Sequence, residues 1–177
     1  MKKIGILLLL SMIVIGTACK KDEKIVEPSK EELIKGDWSL ESLSSDDGLV
    51  LVTLGGETDT TTFSIQSKNE NYTLELNENK TFSSSGELTL VQSTVNSDEV
   101  EEITESVVDS TSTGTWVIDG DFLSLTSGGK KTNEKIVELS TNRLKLEKIE
   151  RDTAEVEFFG INVNVYSSNT TIAVYKK

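Results

Sequence analysis

The chain has 177 residues, with 18 Lys and Arg, 30 Asp and Glu and no His, which gives a net charge of −12. A balance this negative argues against nucleic acid and anionic lipid headgroups as partners, because both need neutralising cations. With no histidine and a single cysteine, the chain also lacks the commonest general base and the commonest zinc ligands. We therefore expect a protein that is not an enzyme and that needs no metal or cofactor.

Residues 1–18 have the features of a secretory signal peptide: two lysines, an apolar stretch and small residues before Cys19. The apolar stretch is shorter than the roughly 20 residues that cross a bilayer. Residues 16–19, Gly-Thr-Ala-Cys, resemble a bacterial lipobox, in which Leu usually stands at the position of Gly16. The resemblance implies that Cys19 is lipidated, as by palmitate, and begins the mature chain. The alternative is an ordinary secretory peptide, cut near Ala18, that leaves Cys19 as a free thiol.

A lipidated Cys19 implies a membrane as the first partner, because two or three acyl chains make attachment effectively permanent. Residues 19–28 then form the lipidated cysteine and a charged tether, and Lys20 directly after the cysteine resembles the sorting signal for the bacterial outer membrane. Removing residues 1–18 takes away two lysines and no acid, so the mature charge is −14. Residues 29–177 are enough for one domain with a sizeable core.

The segment from Pro28 to Ile34 predicts a helix of one or two turns. Ser29 can accept a hydrogen bond from the backbone N–H three residues on, and Glu32 can reach back, which is the capping-box pattern. Gly36 is expected to end the turn. No other segment has a helical period that supports a second helix.

From Asp37 onward, short alternating or β-branched stretches separated by turn residues indicate strands. The first half is predicted to contain strands at 38–43, 49–54, 60–66 and 72–76. Asp46-Asp47-Gly48 is expected to turn the first of these into the second, and residues 77–80 to close a hairpin into Thr81-Phe82.

The second half contains more turn signals. Asp119-Gly120 and Ser127-Gly128-Gly129 are predicted hairpin turns. The strands around them are predicted at 116–118, 122–125, 135–139 and 144–147. The final strands, 156–166 and 170–175, are expected to pair across residues 167–169. Residues 87–112 are rich in Ser, Thr and Glu and predict a long hairpin projecting beyond the core, with a disordered loop as the alternative.

Eight to ten strands joined mainly by hairpin turns need closure, because an open sheet would expose long edges. The sequence therefore predicts an all-β fold, an antiparallel up-and-down barrel with a short N-terminal helix. A β-sandwich is the alternative.

Four short motifs follow one another along the chain. They are Gly36-Asp37-Trp38, Asn79-Lys80-Thr81-Phe82, residues 114–118 (Gly-Thr-Trp-Val-Ile) and residues 139–146 (Leu-Ser-Thr-Asn-Arg-Leu-Lys-Leu). In this order and spacing they resemble motifs of lipocalin-like barrels, and in particular of the lipocalin-like domains of many Bacteroidota lipoproteins. The resemblance covers roughly residues 30–177.

This resemblance implies that Trp38 packs across the closed end of the barrel and that the opposite mouth admits a ligand. Lipocalins often place an Arg from a late strand over that Trp, but the two candidates here, Arg143 and Arg151, do not lie in the predicted last strand. Small barrels of this kind can enclose a cavity or be filled by side chains, and both outcomes stay open.

Acidic residues are concentrated between Thr81 and Gly129, where no Lys or Arg occurs. A glycosidase would need two carboxylates facing each other across a cleft, and the acids at 101, 102 and 105 lie on one predicted hairpin. The Asp-Gly pairs at 47–48 and 119–120 lack the spacing of a calcium loop and are better explained as turns. The acidic stretch therefore predicts a solvated surface.

The aromatic side chains are the remaining candidates for a site. At strand spacing they are expected to form the core, or else to line a ligand cavity. The candidates for these two roles are Trp38, Phe63, Tyr72, Phe82, Trp116 and Phe122.

The sequence leads to two functional hypotheses. The first is a membrane-anchored, non-enzymatic envelope lipoprotein whose barrel binds a small hydrophobic or amphipathic ligand. The second is a filled barrel that presents the acidic hairpin at 87–112 to another envelope protein. A hollow barrel with apolar walls favours the first, and a packed interior favours the second.

Overall fold

One short helix precedes eight strands in the computed structural model, which describes residues 27–158 and 161–177. Each strand pairs antiparallel with the next and β1 pairs with β8, so the sheet closes on itself. The predicted antiparallel barrel with an N-terminal helix is confirmed. The elements are α1 (Lys30–Ile34), β1 (Gly36–Leu54), β2 (Glu57–Leu76), β3 (Thr81–Val95), β4 (Glu101–Asp119), β5 (Phe122–Ser127), β6 (Lys130–Leu139), β7 (Arg143–Phe158) and β8 (Ile161–Lys176).

Helix α1 begins with the predicted capping box. The Ser29 Oγ accepts from the Glu32 N–H at 3.2 Å, and the Glu32 carboxylate accepts from the Ser29 N–H at 2.7 Å. These hydrogen bonds from Ser29 hold the pKa of Glu32 below its usual value. The helix ends at Ile34 because Lys35 is already extended, and Gly36, with φ +112°, begins β1. No helix among the described residues is long and apolar enough to cross a membrane.

The predicted turn at Asp46-Asp47-Gly48 is wrong, because β1 continues through these residues. Its pairing with β2 shifts register between Ser45 and Gly48, which marks a bulge containing both aspartates. The Asp47 carboxylate accepts from the Thr170 N–H of β8 at 2.8 Å, and this hydrogen bond lowers the pKa of Asp47. The chain turns instead at Gly55-Gly56, where both residues have positive φ.

Two further strand boundaries differ from the prediction. The stretches 60–66 and 72–76 belong to one strand, β2, which is interrupted only by a register shift between Lys68 and Asn71. Residues 167–169 do not form a turn, because they lie inside β8 and pair with β7 on one side and in part with β1 on the other. The β7–β8 connection lies instead between the paired residues Phe158 and Ile161.

The other predicted hairpins are present. Residues 77–80 connect β2 to β3, and Gly128-Gly129 connects β5 to β6. At the β4–β5 turn, Asp119 pairs with Phe122, so the two loop residues are Gly120 and Asp121 and not Asp119 and Gly120.

The acidic segment 87–112 forms an ordered hairpin and not the disordered loop that was the alternative. It does not project from the core, however. Residues 89–95 of β3 pair with residues 62–68 of β2, so the hairpin continues the barrel wall.

Unequal strand lengths leave a gap in one side of this wall. Strand β4 pairs with β5 only over Thr115–Asp119, and β6 pairs with β7 only up to Glu147. Among the described residues, the segment 101–114 of β4 and the segment 148–158 of β7 therefore pair on one edge only. We call the space between these two segments the lateral gap.

The hydrophobic core lies at the end of the barrel that α1 covers. Its side chains come from α1, the start of β1, the end of β2, the start of β3, the end of β4, the start of β5, the start of β7 and the end of β8. The most buried are Ile34, Trp38, Leu40, Leu74, Leu76, Phe82, Trp116, Leu123, Leu144 and Leu146.

Candidate functional site

The closed end of the barrel is built around Trp38, whose side chain is fully buried. Its indole Nε1 donates to the Ile34 carbonyl at 2.6 Å, which fixes the ring beneath α1. A cation lies over the ring, as the family resemblance implied, but it is not Arg143 or Arg151. The Lys177 Nζ stands 4.4 Å from the ring centroid, within the range of a cation–π contact.

Trp116 is held in the same way at the same end. Its indole Nε1 donates to the Asn77 carbonyl at 3.1 Å. The Lys80 Nζ lies 4.1 Å from the ring centroid and 2.8 Å from the Glu31 carboxylate of α1. Both tryptophans therefore stabilise the base of the barrel and do not line an open cavity.

Beyond this base, the barrel contains a partly open cavity of about 350 Å³. This volume is at the lower end of the range typical of small-molecule sites. The apolar part of its wall consists of Leu43, Ile65, Leu90, Leu146, Ala173 and Tyr175. The polar part consists of Glu134, Lys148, Glu150, Asn169 and Thr171.

The polar part of the wall carries two carboxylates and one ammonium. Lys148 forms an ion pair with Glu150. Burial raises the pKa of Glu134, a shift that Lys148 opposes and Glu150 reinforces. Burial also raises the pKa of Tyr175, with the charge of Glu134 adding to the effect. The cavity thus has an apolar wall facing a small, net acidic group of side chains.

A second, wider pocket of about 630 Å³ adjoins the cavity and leads to its mouth. It shares Ile65, Glu150 and Asn169 with the cavity. Its other lining residues come from β2, β7 and β8: Phe63, Ile149, Arg151, Asp152, Ser167 and Ser168. A ligand can therefore pass between an apolar interior and a charged, solvent-facing rim.

The six aromatic candidates fall into three groups. Trp38, Phe82 and Trp116 are buried in the core. Phe63 and Tyr72 are half-buried and line pockets. Phe122 differs from the prediction, because it is 46% exposed on the outer face of β5, where it lines a small surface pocket of about 180 Å³ and neither the core nor the barrel interior. Because side chains alternate between the two faces of a strand, the residue that follows Phe122 on β5 faces the barrel interior.

Sequence reasoning missed the charged members of the cavity wall. Glu134 and Lys148 lie on strands where charged residues are common on the outer face, and only the pairing of β5, β6 and β7 turns them inward. No group of three or more metal-ligating side chains occurs within the described ranges. Cys19, the predicted lipid attachment site, and the signal peptide at 1–18 lie outside them.

Comparison with known families agrees with this geometry. The family model of the lipocalin-like domain matches residues 34–146, well over half of the chain. The chain belongs to the lipocalin-like domain family. The matched segment of this lipocalin-like protein runs from the end of α1 into β7 and contains both tryptophans of the closed end. No curated protein and no solved structure shows a significant match to the chain. Family and barrel together indicate a ligand-binding module.

Proposed function

We propose that this lipocalin-like protein is a lipid-anchored bacterial envelope lipoprotein that binds a small amphipathic ligand inside its barrel and catalyses no reaction. The observation that carries the proposal is the cavity of about 350 Å³ beyond the closed base. A barrel filled by side chains would leave no such space, so the cavity favours ligand binding over a purely structural role.

The lining residues favour an amphipathic ligand. Leu43, Leu90 and Ala173 offer an apolar surface, while Glu134 and the Lys148–Glu150 pair need polar partners once water is displaced. A purely apolar ligand would offer Glu134 no hydrogen bond and would leave Lys148 and Glu150 with only each other as partners. A ligand with an apolar body and a polar or cationic end satisfies both parts of the wall.

Binding of N-phenyl-1-naphthylamine, a neutral fluorophore with two aromatic groups and one N–H donor, tests the cavity. Residues 20–177 contain every described element and can be compared as wild type, Thr171→Trp and Thr113→Trp. Thr171 lines the cavity, whereas Thr113 is exposed on the outer face of β4. We expect saturable fluorescence enhancement with one site per chain, weakened at least about tenfold by Thr171→Trp because the indole fills the space.

The Thr113→Trp variant is the matched control and should bind as wild type does. Equal binding by both variants, or no enhancement in wild type, rejects the cavity as a ligand site. Native mass spectrometry of protein purified from its own host then identifies any molecule that co-purifies with wild type and is lost in Thr171→Trp.

The anchor is proposed from Cys19 and the lipobox-like residues before it. A Cys19→Ala variant of the full chain should lose metabolically incorporated palmitate and move from the membrane pellet to the supernatant. Its tether and barrel are unchanged, so ligand binding is expected to persist. Continued sedimentation of Cys19→Ala with membranes contradicts the anchor but leaves the ligand proposal standing.

A further inference from the structure

Residues 101–114 of β4 border the lateral gap. No described strand pairs with the edge of β4 that faces this gap. Residues 101–114 pair with β3 in one unbroken register, from Val95 opposite Glu101 to Thr81 opposite Thr115. The pairing of β4 with β5 begins only at Thr115. Fourteen residues, with a rise of about 3.4 Å from one to the next, make an open edge of roughly 45 Å, which is long for an edge strand.

The register shows which backbone groups face this edge. The Trp116 N–H donates to the Lys80 carbonyl at 2.8 Å, so Trp116 points its backbone groups toward β3. Because these directions alternate along an antiparallel strand, the odd-numbered residues from 101 to 113 point their N–H and C=O groups into the gap. These same residues carry their side chains on the outer, exposed face.

The open edge lacks several features that usually protect an edge strand from pairing with another chain. The chain's single proline is Pro28, and no Lys or Arg occurs between Thr81 and Gly129. No register shift interrupts the β3–β4 ladder. The apolar side chains of Ile103 and Val107 are 63% and 64% exposed beside the edge. Natural edges of this length normally carry lysines, prolines or bulges.

The outer face of the edge alternates acidic and apolar residues. In order they are Glu101, Ile103, Glu105, Val107 and Asp109. Glu105 also forms an ion pair with Lys68 of β2 at 2.6 Å, on the side away from the edge. A strand that pairs here must place basic side chains opposite the acids and apolar side chains opposite Ile103 and Val107.

This charge pattern argues against a second copy of the chain as the occupant. An antiparallel β4–β4 pair centred on Val107 places Glu105 of one copy opposite Asp109 of the other. A pair centred on Glu105 places that residue opposite itself and Glu101 opposite Asp109. Directly opposed like charges destabilise a strand pair. A pair centred on Ser106 avoids them only by placing Glu105 opposite Val107 and Ile103 opposite Asp109, so that no acid gains a basic partner.

We propose that the open edge of β4 is a strand-addition site for an extended basic segment of another protein, in which Lys or Arg alternates with β-branched residues on the outer face. Main-chain hydrogen bonds to the odd-numbered residues supply the attachment, and the acidic and apolar side chains select the sequence. The site uses none of the residues that line the cavity of about 350 Å³, so it is independent of the proposed ligand.

The probe is the capped peptide Lys-Thr-Val-Thr-Lys-Thr-Val-Thr-Lys, which has the required alternation. The control is the same peptide N-methylated at every Lys and Val, whose N–H groups face β4 in an antiparallel pair. The methyl groups keep the charge and the side chains and remove these strand hydrogen bonds. Full chain in phosphatidylcholine nanodiscs is titrated with each peptide, with empty nanodiscs as the blank. We expect the first peptide to bind at least about tenfold more tightly than the second.

Variants at Val107 locate the site. Val107→Pro removes an N–H that faces the gap and leaves the hydrogen bonds to β3 in place, whereas Val107→Thr keeps the N–H. We expect Val107→Pro to weaken binding of the unmethylated peptide about tenfold and Val107→Thr to change it little. In wild type, amide exchange at the odd-numbered residues 103–109, which the nine-residue peptide spans, should slow when the peptide is bound.

The exchange measurement keeps the test decisive even where Val107→Pro fails to fold. Slowed exchange along β4 supports the proposal. Equal binding of both peptides shows electrostatic adhesion alone and overturns it, as does protection confined to β7. A dimer of the peptide-free chain with protected β4 amides would show that a second copy occupies the edge, which also overturns it.

Discussion

Three consecutive carbonyls at the end of α1 are satisfied by two side chains from the barrel. The Lys177 Nζ donates to the Leu33 carbonyl at 2.9 Å and to the Lys35 carbonyl at 2.6 Å. The Trp38 Nε1 donates to the Ile34 carbonyl between them. The last carbonyls of a helix have no partners within it. A single lysine after β8 thus caps the helix, covers the tryptophan and ties the two ends of the barrel domain together.

Removal of the Lys177 side chain should lower the stability of the barrel. Lys177→Ala loses two hydrogen bonds and one cation–π contact, each partly exposed, so we expect the free energy of unfolding to fall by about 1 kcal/mol. Urea unfolding followed by the fluorescence of the two buried tryptophans measures the difference.

Lys176→Ala is the matched control, because Lys176 is exposed and its side chain makes no recorded hydrogen bond within the described ranges. It should change the free energy of unfolding by less than about 0.5 kcal/mol. If the two variants lose the same amount, net charge and not the contacts of Lys177 explains the effect.

Contacts between residues that are close in sequence could be predicted. Contacts that form only when the barrel closes could not. Ser29 and Glu32 form a capping box because they are three residues apart, and this spacing is visible in the chain. Lys177 reaches Trp38 only because β8 pairs with β1 across the seam of the barrel. Glu134 faces the cavity for a similar reason, since strand pairing decides its direction.

At the scale of elements, turns were easier to predict than bulges. Gly128-Gly129 makes a two-residue turn because both positions need positive φ, a property of the residues themselves. Gly48 looked like part of a turn but lies within β1, where the Phe63 ring covers it. A Cβ at position 48 would stand 2.4 Å from that ring. The glycine is required by a cross-strand partner, which its own sequence neighbours do not reveal.

Gly86 is a second position at which an irregularity in one strand determines which residue the paired strand must carry. It has φ +135° and pairs with Tyr72, directly after the bulge of β2 that ends at Asn71, and a Cβ on it would approach the Asn71 carbonyl oxygen to 1.9 Å. No side chain fits there. The bulge of β2 therefore requires a glycine on β3. The sequence reveals this glycine but not the bulge that explains it.

For the whole molecule, the order of hairpins was enough to predict closure. Each strand pairs with the next, so only the β1–β8 seam had to be inferred from the cost of leaving two edges open. The lateral gap was not predicted, because it depends on how far β5 and β6 extend relative to β4 and β7. Six residues in β5 against 19 in β4 leave the edge uncovered.

The charge of the whole molecule leads to a last prediction, on salt. The net charge of −12 is spread over a surface where the described ion pairs are all partly exposed. Exposed pairs contribute at most about 1 kcal/mol each, whereas a large net charge destabilises the compact state through self-repulsion. Screening should therefore weaken repulsion more than attraction, and sodium chloride should stabilise the barrel at pH 7.

We expect the melting temperature of residues 20–177 to rise by a few degrees between 10 mM and 500 mM sodium chloride at pH 7, equivalent to roughly 1 kcal/mol. Residues 20–177 lack the two lysines of residues 1–18 and carry −14 at pH 7. Near pH 4.5, which is the isoelectric point of the full sequence, most of this charge is lost and the rise should become much smaller. A general effect of salt on apolar burial acts equally at both pH values. An equal rise at pH 4.5 and pH 7 thus contradicts self-repulsion as the cause, and a fall at pH 7 shows that the ion pairs outweigh it.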